Sequence, residues 1–225
     1  MKVLILGSGP NAVAARDWPT LPYDALVAIN NAWRVRDDWT HAIYPEDFPA
    51  DRHPPADTRP HIRADRFVPA QNAFGGFVYA GGTMAFTAAY WALHDLKPTQ
   101  MDFLGCDMVY APTGNTHFYG TGTADPLRDD PTLQSLEAKS ARLLATALDH
   151  GCDCRNLSTG PSRLIFAPAT APALRPDPAA IQRARSREAE LDYFVASGRY
   201  WETPDAYDPA ELRALDALWL ATVER

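Results

Sequence analysis

The chain has 225 residues, 46% of them hydrophobic, and a chain of that size buries roughly 70% of its unfolded surface, so one sizeable domain with an appendage is expected. A net charge of −7, with 21 scattered basic residues against 28 acidic ones, argues against a nucleic-acid binder, whose phosphate affinity comes from clustered Lys and Arg. No apolar run approaches the ~18 residues of a membrane span and no basic-then-apolar leader pattern is present, so a cytoplasmic location without a membrane span is the expectation.

The first element is a strand. An apolar run, Lys2 to Leu6, breaks at Gly7-Ser8-Gly9-Pro10-Asn11 and continues as helix-prone Ala12-Val13-Ala14-Ala15. A strand that stops at a glycine turn and restarts as a helix points free backbone N–H groups above the sheet edge, which suits phosphate. It is not a dinucleotide fingerprint. That motif needs a third glycine and an acid about 20 residues on; here Ala12 or Val13 stands at the third position, and the second apolar run, Ala25 to Ile29, ends in Asn30-Asn31. Two amides at a strand end both donate and accept, which fits a nucleobase edge, a ribose or a phosphate. The plainer alternative is a tight turn at Gly7 and Gly9, with Asn30 or Asn31 capping the next helix.

Ala42 to Tyr44 reads as a third short strand. The proline-laden loop Pro45 to Pro60 follows, with Glu46-Asp47 either coordinating a cation or simply solvated, and with His53 inside it and His61 after it. Gly81-Gly82-Thr83 opens a mostly buried helix, Met84 to Leu96, and offers N–H groups and a hydroxyl to an anion or sugar, or else allows close helix–sheet packing. Asp107 follows the strand at Phe103-Leu104, where an aspartate binds a ligand hydroxyl, Mg²⁺ or a neighbouring amide.

The loop Cys106 to Asp130 exceeds the ~12 to 15 residues common in compact domains, which marks it as functional or disordered. It holds His117, in Gly114-Asn115-Thr116-His117-Phe118-Tyr119-Gly120. A loop histidine titrates near neutrality and accepts a proton from an attacking hydroxyl. If the loop returns over the Gly7 to Asn11 turn, His117 stands beside the bound phosphate, with Tyr110 and Tyr119 able to donate to its leaving oxygens; the plainer alternative is an exposed or hydrogen-bonded loop histidine.

A further helix is predicted from Asp130-Pro131, with Leu133, Leu136, Leu143, Leu144 and Ala147 on one stripe until Gly151. Cys152 to Leu157 reads as the last strand. Its two thiols and His150 fall short of a structural zinc set, so buried free thiols are expected. Ala167 to Pro178 reads as a stiff connector, and helices are predicted over Ala179 to Ser197 and Ala210 to Val223, each opened by Asp-Pro. Tyr193, Phe194, Tyr200 and Trp201 have three readings: an acceptor-side lid, a dimerisation element making a homo-oligomer, or packing on the core, the last being the expectation.

Strands alternating with helices predict an α/β fold: a Rossmann-like, open, mainly parallel sheet with helices on both faces and a ligand crevice at the strands' carboxyl ends. Residues 1–166 would form this nucleotide-binding domain, and residues 167–225 the connector and a C-terminal helical extension.

Taken in order, Leu4-Ile5-Leu6-Gly7-Ser8-Gly9-Pro10-Asn11, Ile29-Asn30-Asn31, Gly81-Gly82-Thr83-Met84-Ala85, Phe103-Leu104-Gly105-Cys106-Asp107-Met108-Val109-Tyr110 and His117 resemble two related families. These are the bacterial sialyltransferases of glycosyltransferase family forty-two and the 6-hydroxymethylpterin diphosphokinase-like proteins. The resemblance covers roughly residues 1 to 165 and rests on order and spacing. Both families bind a nucleotide at a Gly-x-Gly-Pro turn on a Rossmann-like sheet.

The sialyltransferase resemblance implies a nucleotide-dependent transferase with a CMP-sugar-type donor, no cofactor and no metal ligand. Gly7, Ser8, Gly9 and Asn11 would hold the phosphate, Asn30 or Asn31 the phosphate or ribose, and Thr83 would lie by the nucleotide; Pro10, Gly82 and Asp107 complete the expected nucleotide site. Tyr110 or Tyr119 would bind the leaving phosphate, and His117 would be the general base. The family turn usually reads Gly-Asn-Gly-Pro-Ser, so amide and hydroxyl are exchanged here, and Pro45 stands where a second nucleotide-binding asparagine is expected. The diphosphokinase resemblance implies ATP and Mg²⁺, with Asp107 as a ligand; phosphoryl transfer calls for cations near the phosphates, and no P-loop lysine is present. A third reading is a non-catalytic nucleotide-binding module.

Overall fold

The structure is a computed structural model that describes residues 1–56, 58–110, 112–122 and 130–223. Six strands form one all-parallel sheet: β1 (Lys2–Leu6), β2 (Ala25–Ile29), β3 (His41–Ile43), β4 (His61–Ile62), β5 (Gln100–Leu104) and β6 (Asp153–Asn156), in the order β4-β3-β2-β1-β5-β6. Both faces of such a sheet are covered, which is why β1 reads as an unbroken apolar run; Val3, Leu4, Ile5 and Leu6 are all fully buried.

Side chains alternate across the pleat and sort into two cores. Val3, Ile5 and Val27 face the α-helices, whereas Leu4, Leu6, Leu26 and Ala28 meet Ala12, Ala32 and Trp39 on the other side. The second face is covered by 3-10 segments, Pro10–Asp17 and Asn30–Arg34, where the first was expected as an ordinary helix.

The helices on the first face are α1 (Ala64–Asn72), α2 (Phe77–Ala80), α3 (Met84–Asp95), α4 (Leu136–Asp149), α5 (Pro178–Leu191) and α6 (Pro209–Leu220). Helix α3 is buried nearly all round, as its composition predicts, and Thr83 caps it. Neither β4 nor α1 is predicted from sequence: β4 is two residues long, and α1 carries Pro69 inside it. Asp130-Pro131 opens only a 3-10 turn, Pro131–Leu133; α4 starts later because Ser135 is extended and its hydroxyl accepts the Ala138 N–H at 3.1 Å.

The C-terminal helices keep their Asp-Pro starts. Asp177 accepts the Ala179 N–H at 3.0 Å and Asp208 the Ala210 N–H at 2.7 Å. Helix α5 ends before Ser197 because Asp192 turns left-handed at φ 50°. Leu212, Leu215 and Trp219 join the core that begins at Val3 and Ile5, so the extension packs onto the sheet domain and shares its interior. All three cysteines are free and buried. Among the described residues, no helix is long and apolar enough to cross a membrane.

The chain runs outward from β1 through β2, β3 and β4, then returns to the other side of β1 to place β5. The order reverses between β1 and β5. In open α/β sheets a crevice forms at this reversal, beyond the strands' carboxyl ends.

Candidate functional site

A cleft of about 900 Å³ occupies that position. Its walls are the segments after β1 (Gly7 to Asn11), β2 (Asn30, Asn31), β3 (Pro45, Asp47, Phe48, Arg52), β5 (Gly105 to Tyr110) and β6 (Thr159 to Pro161), together with Thr116, His117 and Tyr119.

The glycine turn is made by close contact between the ends of β1 and β5. The Gly7 N–H donates to Leu104 O at 2.8 Å and the Gly9 N–H to Gly105 O at 2.9 Å. A Cβ on Gly7 would sit 2.2 Å from Gly105 O, and Gly105 itself adopts φ +71°. Both glycine N–H groups are therefore committed inside the protein, contrary to the picture of a turn with all its amides free. The donors left for an anion are the N–H groups of Ser8 and Asn11, which bond no other described residue; Pro10 has none and starts the 3-10 segment.

The Asn11 side chain ties three loops together. Its Nδ2 donates to Asp107 Oδ2 and to Ser158 Oγ, each at 2.7 Å, and the Ser158 hydroxyl donates to the same carboxylate oxygen at 2.7 Å. Asp107 Oδ1 and the Oδ1 atoms of Asn11, Asn30 and Asn31 are buried without a partner among the described residues. Asn30 (φ 51°) and Met108 (φ 54°), both lining the cleft, hold left-handed conformations that are uncommon outside glycine. Such backbone outliers gather at ligand sites.

The His117 loop returns over the turn, as the sequence reading required. The Phe118 N–H donates to Ser8 O at 3.1 Å, and its ring packs into the second core with the Arg16 guanidinium 5.7 Å above it. Paired backbone bonds between His117 and Gly120, at 3.0 and 3.1 Å, close a small hairpin. Thr116 Oγ1 lies 2.8 Å from His117 Nδ1; it accepts the Gly122 N–H at 3.0 Å, and its hydroxyl reaches Gly122 O at 3.3 Å. With the hydroxyl proton on Gly122 O, the ring donates from Nδ1 and Nε2 carries the lone pair. Nε2 has no partner among the described residues. Burial pushes the imidazole below its ordinary value of 6.5, so the ring is neutral at pH 7. Tyr119 stacks on it at 5.1 Å and Tyr110 lies 5.8 Å away.

Thr83 lines the cleft but is buried, and its hydroxyl accepts the Phe86 N–H at 3.4 Å as the cap of α3. Gly82 is not brought to this cleft: its N–H donates to Thr132 Oγ1 at 3.3 Å, and it borders a second cavity together with Tyr200 and Trp201. Asp47, read from sequence only as half of a cation-binding or solvated pair, lines the cleft, and sequence reasoning did not assign Phe48 and Arg52 of the proline loop, Ser158, or the Thr159-Gly160-Pro161 turn. That last turn follows a parallel strand's carboxyl end, the same signal that identified Gly7 to Asn11. Arg52 is the one basic side chain among the described lining residues. His53 and His61 stand outside the cleft, bonded to Phe48 O and the Tyr44 hydroxyl at 2.9 Å each.

The chain matches no family model, no curated protein and no solved structure.

Proposed function

We propose that the protein is a nucleotide-dependent glycosyltransferase with a CMP-sugar-type donor and His117 as general base. In the reaction, an acceptor hydroxyl oxygen bonds to the donor's anomeric carbon while its proton passes to His117 Nε2. The bond from that carbon to the phosphate oxygen breaks, and its electron pair leaves on the phosphate. The Ser8 and Asn11 N–H groups, the Tyr110 and Tyr119 hydroxyls and Arg52 offer donors to the growing negative charge, where fixed dipoles in a sheltered cleft are most effective. One observation carries this reading: the Phe118-to-Ser8 bond, which ties the loop bearing a neutral His117 to the turn at the sheet's reversal point, where both line one cleft.

The test compares hydrolysis of a CMP-sugar with that of ATP, each with and without Mg²⁺, after a thermal-shift screen of CMP, UDP and ADP. The expected outcome is CMP-sugar turnover that does not need Mg²⁺. His117→Ala should lower turnover by about 10²- to 10⁴-fold, the usual contribution of a general base, while the CMP melting shift persists. A variant with undiminished turnover would end the general-base assignment.

The unpartnered Asp107 Oδ1, with Asp47 on the same cleft, favours one second reading: Mg²⁺-dependent phosphoryl-type transfer from ATP, as in the diphosphokinase-like proteins. Its signature would be ATP turnover abolished by chelation. Melting shifts without any turnover would instead mark a binding module.

A further inference from the structure

A second cavity, of about 980 Å³, adjoins the first and shares Pro45, Asp47 and Met84 with it as a common wall. Cavities of this size hold small-molecule ligands. Its floor is aromatic and firmly held. Phe67 and Phe77 are buried, Phe77 stacks on Tyr200 at 6.4 Å, and the Tyr200 hydroxyl donates to Asp130 Oδ2 at 2.7 Å. Trp201 is different: it stands edge-on to Tyr200 at 5.3 Å with 61% of its surface exposed, the most exposed large hydrophobic side chain among the described residues.

Among the described residues, the charge lining this aromatic surface is mostly acidic. Glu46, Asp47 and Asp65 line the cavity, and none has an ion-pair partner among the described residues. The one basic side chain among the described lining residues, Arg199, already faces Glu202 at 3.4 Å. The first cleft sets Arg52 and the free N–H groups beside Asp47 and Asp107, whereas this cavity carries more carboxylates, so a nucleotide's phosphates are better placed in the first cleft and a cation here.

We infer that the second cavity is the acceptor site, and that it takes an organic cation with an aromatic or apolar body. This rests on the transferase reading above. The body would lie against Trp201 and the Phe67-Phe77-Tyr200 floor, the ammonium would meet Trp201's ring face and the Glu46, Asp47 and Asp65 carboxylates, and Asp47 and Met84 would stand between acceptor and donor, since they line both cavities. The Tyr200-Trp201 cluster thus supplies one wall of the acceptor site as well as packing.

The test is calorimetry on the full chain with three probes of one shape: tyramine (cationic), 4-hydroxyphenylethanol (neutral) and 4-hydroxyphenylacetate (anionic). Tyramine should bind about tenfold more tightly than the alcohol, and the acid should give no binding heat. Trp201→Ala and Asp65→Asn, both at exposed positions, should each weaken tyramine by about threefold or more while the CMP melting shift stays intact, which also reports that the variants fold. Equal binding of amine and alcohol, tighter binding of the acid, no binding of any probe, or tyramine affinity unchanged in both variants would each overturn the inference. If CMP fails to shift the wild-type melt while tyramine shows the expected pattern, the cation site stands and the donor reading falls.

Discussion

Thr116 holds His117 Nδ1 at 2.8 Å, which leaves Nε2 as the ring nitrogen available to a ligand. Thr116→Val removes the oxygen that faces Nδ1 at 2.8 Å and frees the ring to swap tautomers. If His117 is the general base proposed above, about a tenfold fall in kcat is expected, with KM for the donor little changed, since a misplaced proton would disable a base without touching binding. Titration gives a second check. Burial lowers both His117 and His41 below 6.5, so between 6.5 and those lowered values the unfolded chain binds protons that the folded chain refuses. Stability is then full above pH ~6.5 and falls as the pH drops below it, measurable as a declining urea midpoint. The kcat/KM profile should rise along a limb centred below 6.5; a midpoint above 7 would count against His117.

At the scale of elements, the contact between the ends of β1 and β5 decides what the site is. Gly7→Ala drives a methyl into Gly105 O, and Gly105→Ala both forces φ +71° on a side chain and places its Cβ 2.8 Å from the Ala12 Cβ. Each should cost about 2–4 kcal/mol by strain and overpacking, read from urea unfolding, with the Gly7 variant the worse because backbone on both sides has nowhere to go. Asn11 works on the same crossing from its side chain. Asn11→Ala deletes two hydrogen bonds at 2.7 Å and leaves Ser158 to hold Asp107 alone. A loss of about 1–3 kcal/mol and a weakened CMP melting shift are expected together, because one amide both positions the turn and joins three cleft loops.

At the scale of the whole molecule, α5 and α6 meet α4 across buried charge pairs. Arg142 meets Glu188 at 2.6 Å and donates to the Tyr90 hydroxyl at 2.8 Å, while Lys139 meets Asp216 at 3.0 Å. Burial raises the Asp216 carboxyl above its ordinary value even beside Lys139, so desolvation outweighs the attraction. Lys139→Met alone should cost about 3–5 kcal/mol by stranding Asp216, whereas Lys139→Met with Asp216→Leu should recover most or all of it. A double variant as unstable as the single would show that the pair itself stabilises the fold.

Several features were legible locally. The runs around Val3 to Leu6 and Ala25 to Ile29 announce strands buried on both faces, Thr83 and the Asp-Pro pairs announce helix starts, and glycine after an apolar run announces the sheet's carboxyl edge; each signal lies within a few residues of its effect. What the turn does with its amides was not legible, because the acceptors for Gly7 and Gly9 are Leu104 and Gly105, almost a hundred residues away. The same distance hid the roles of Asn11 and Ser158, and Pro69 masked α1 by putting a helix breaker inside a helix. The sequence alone determined an open parallel α/β sheet and the strand ends where a ligand would sit. Only the tertiary structure decided which donors remain free, that the His117 loop is bonded to the turn, and that a second, acidic and aromatic cavity lies beside the cleft they share, because hydrogen-bond partners and shared walls come from segments joined only by folding.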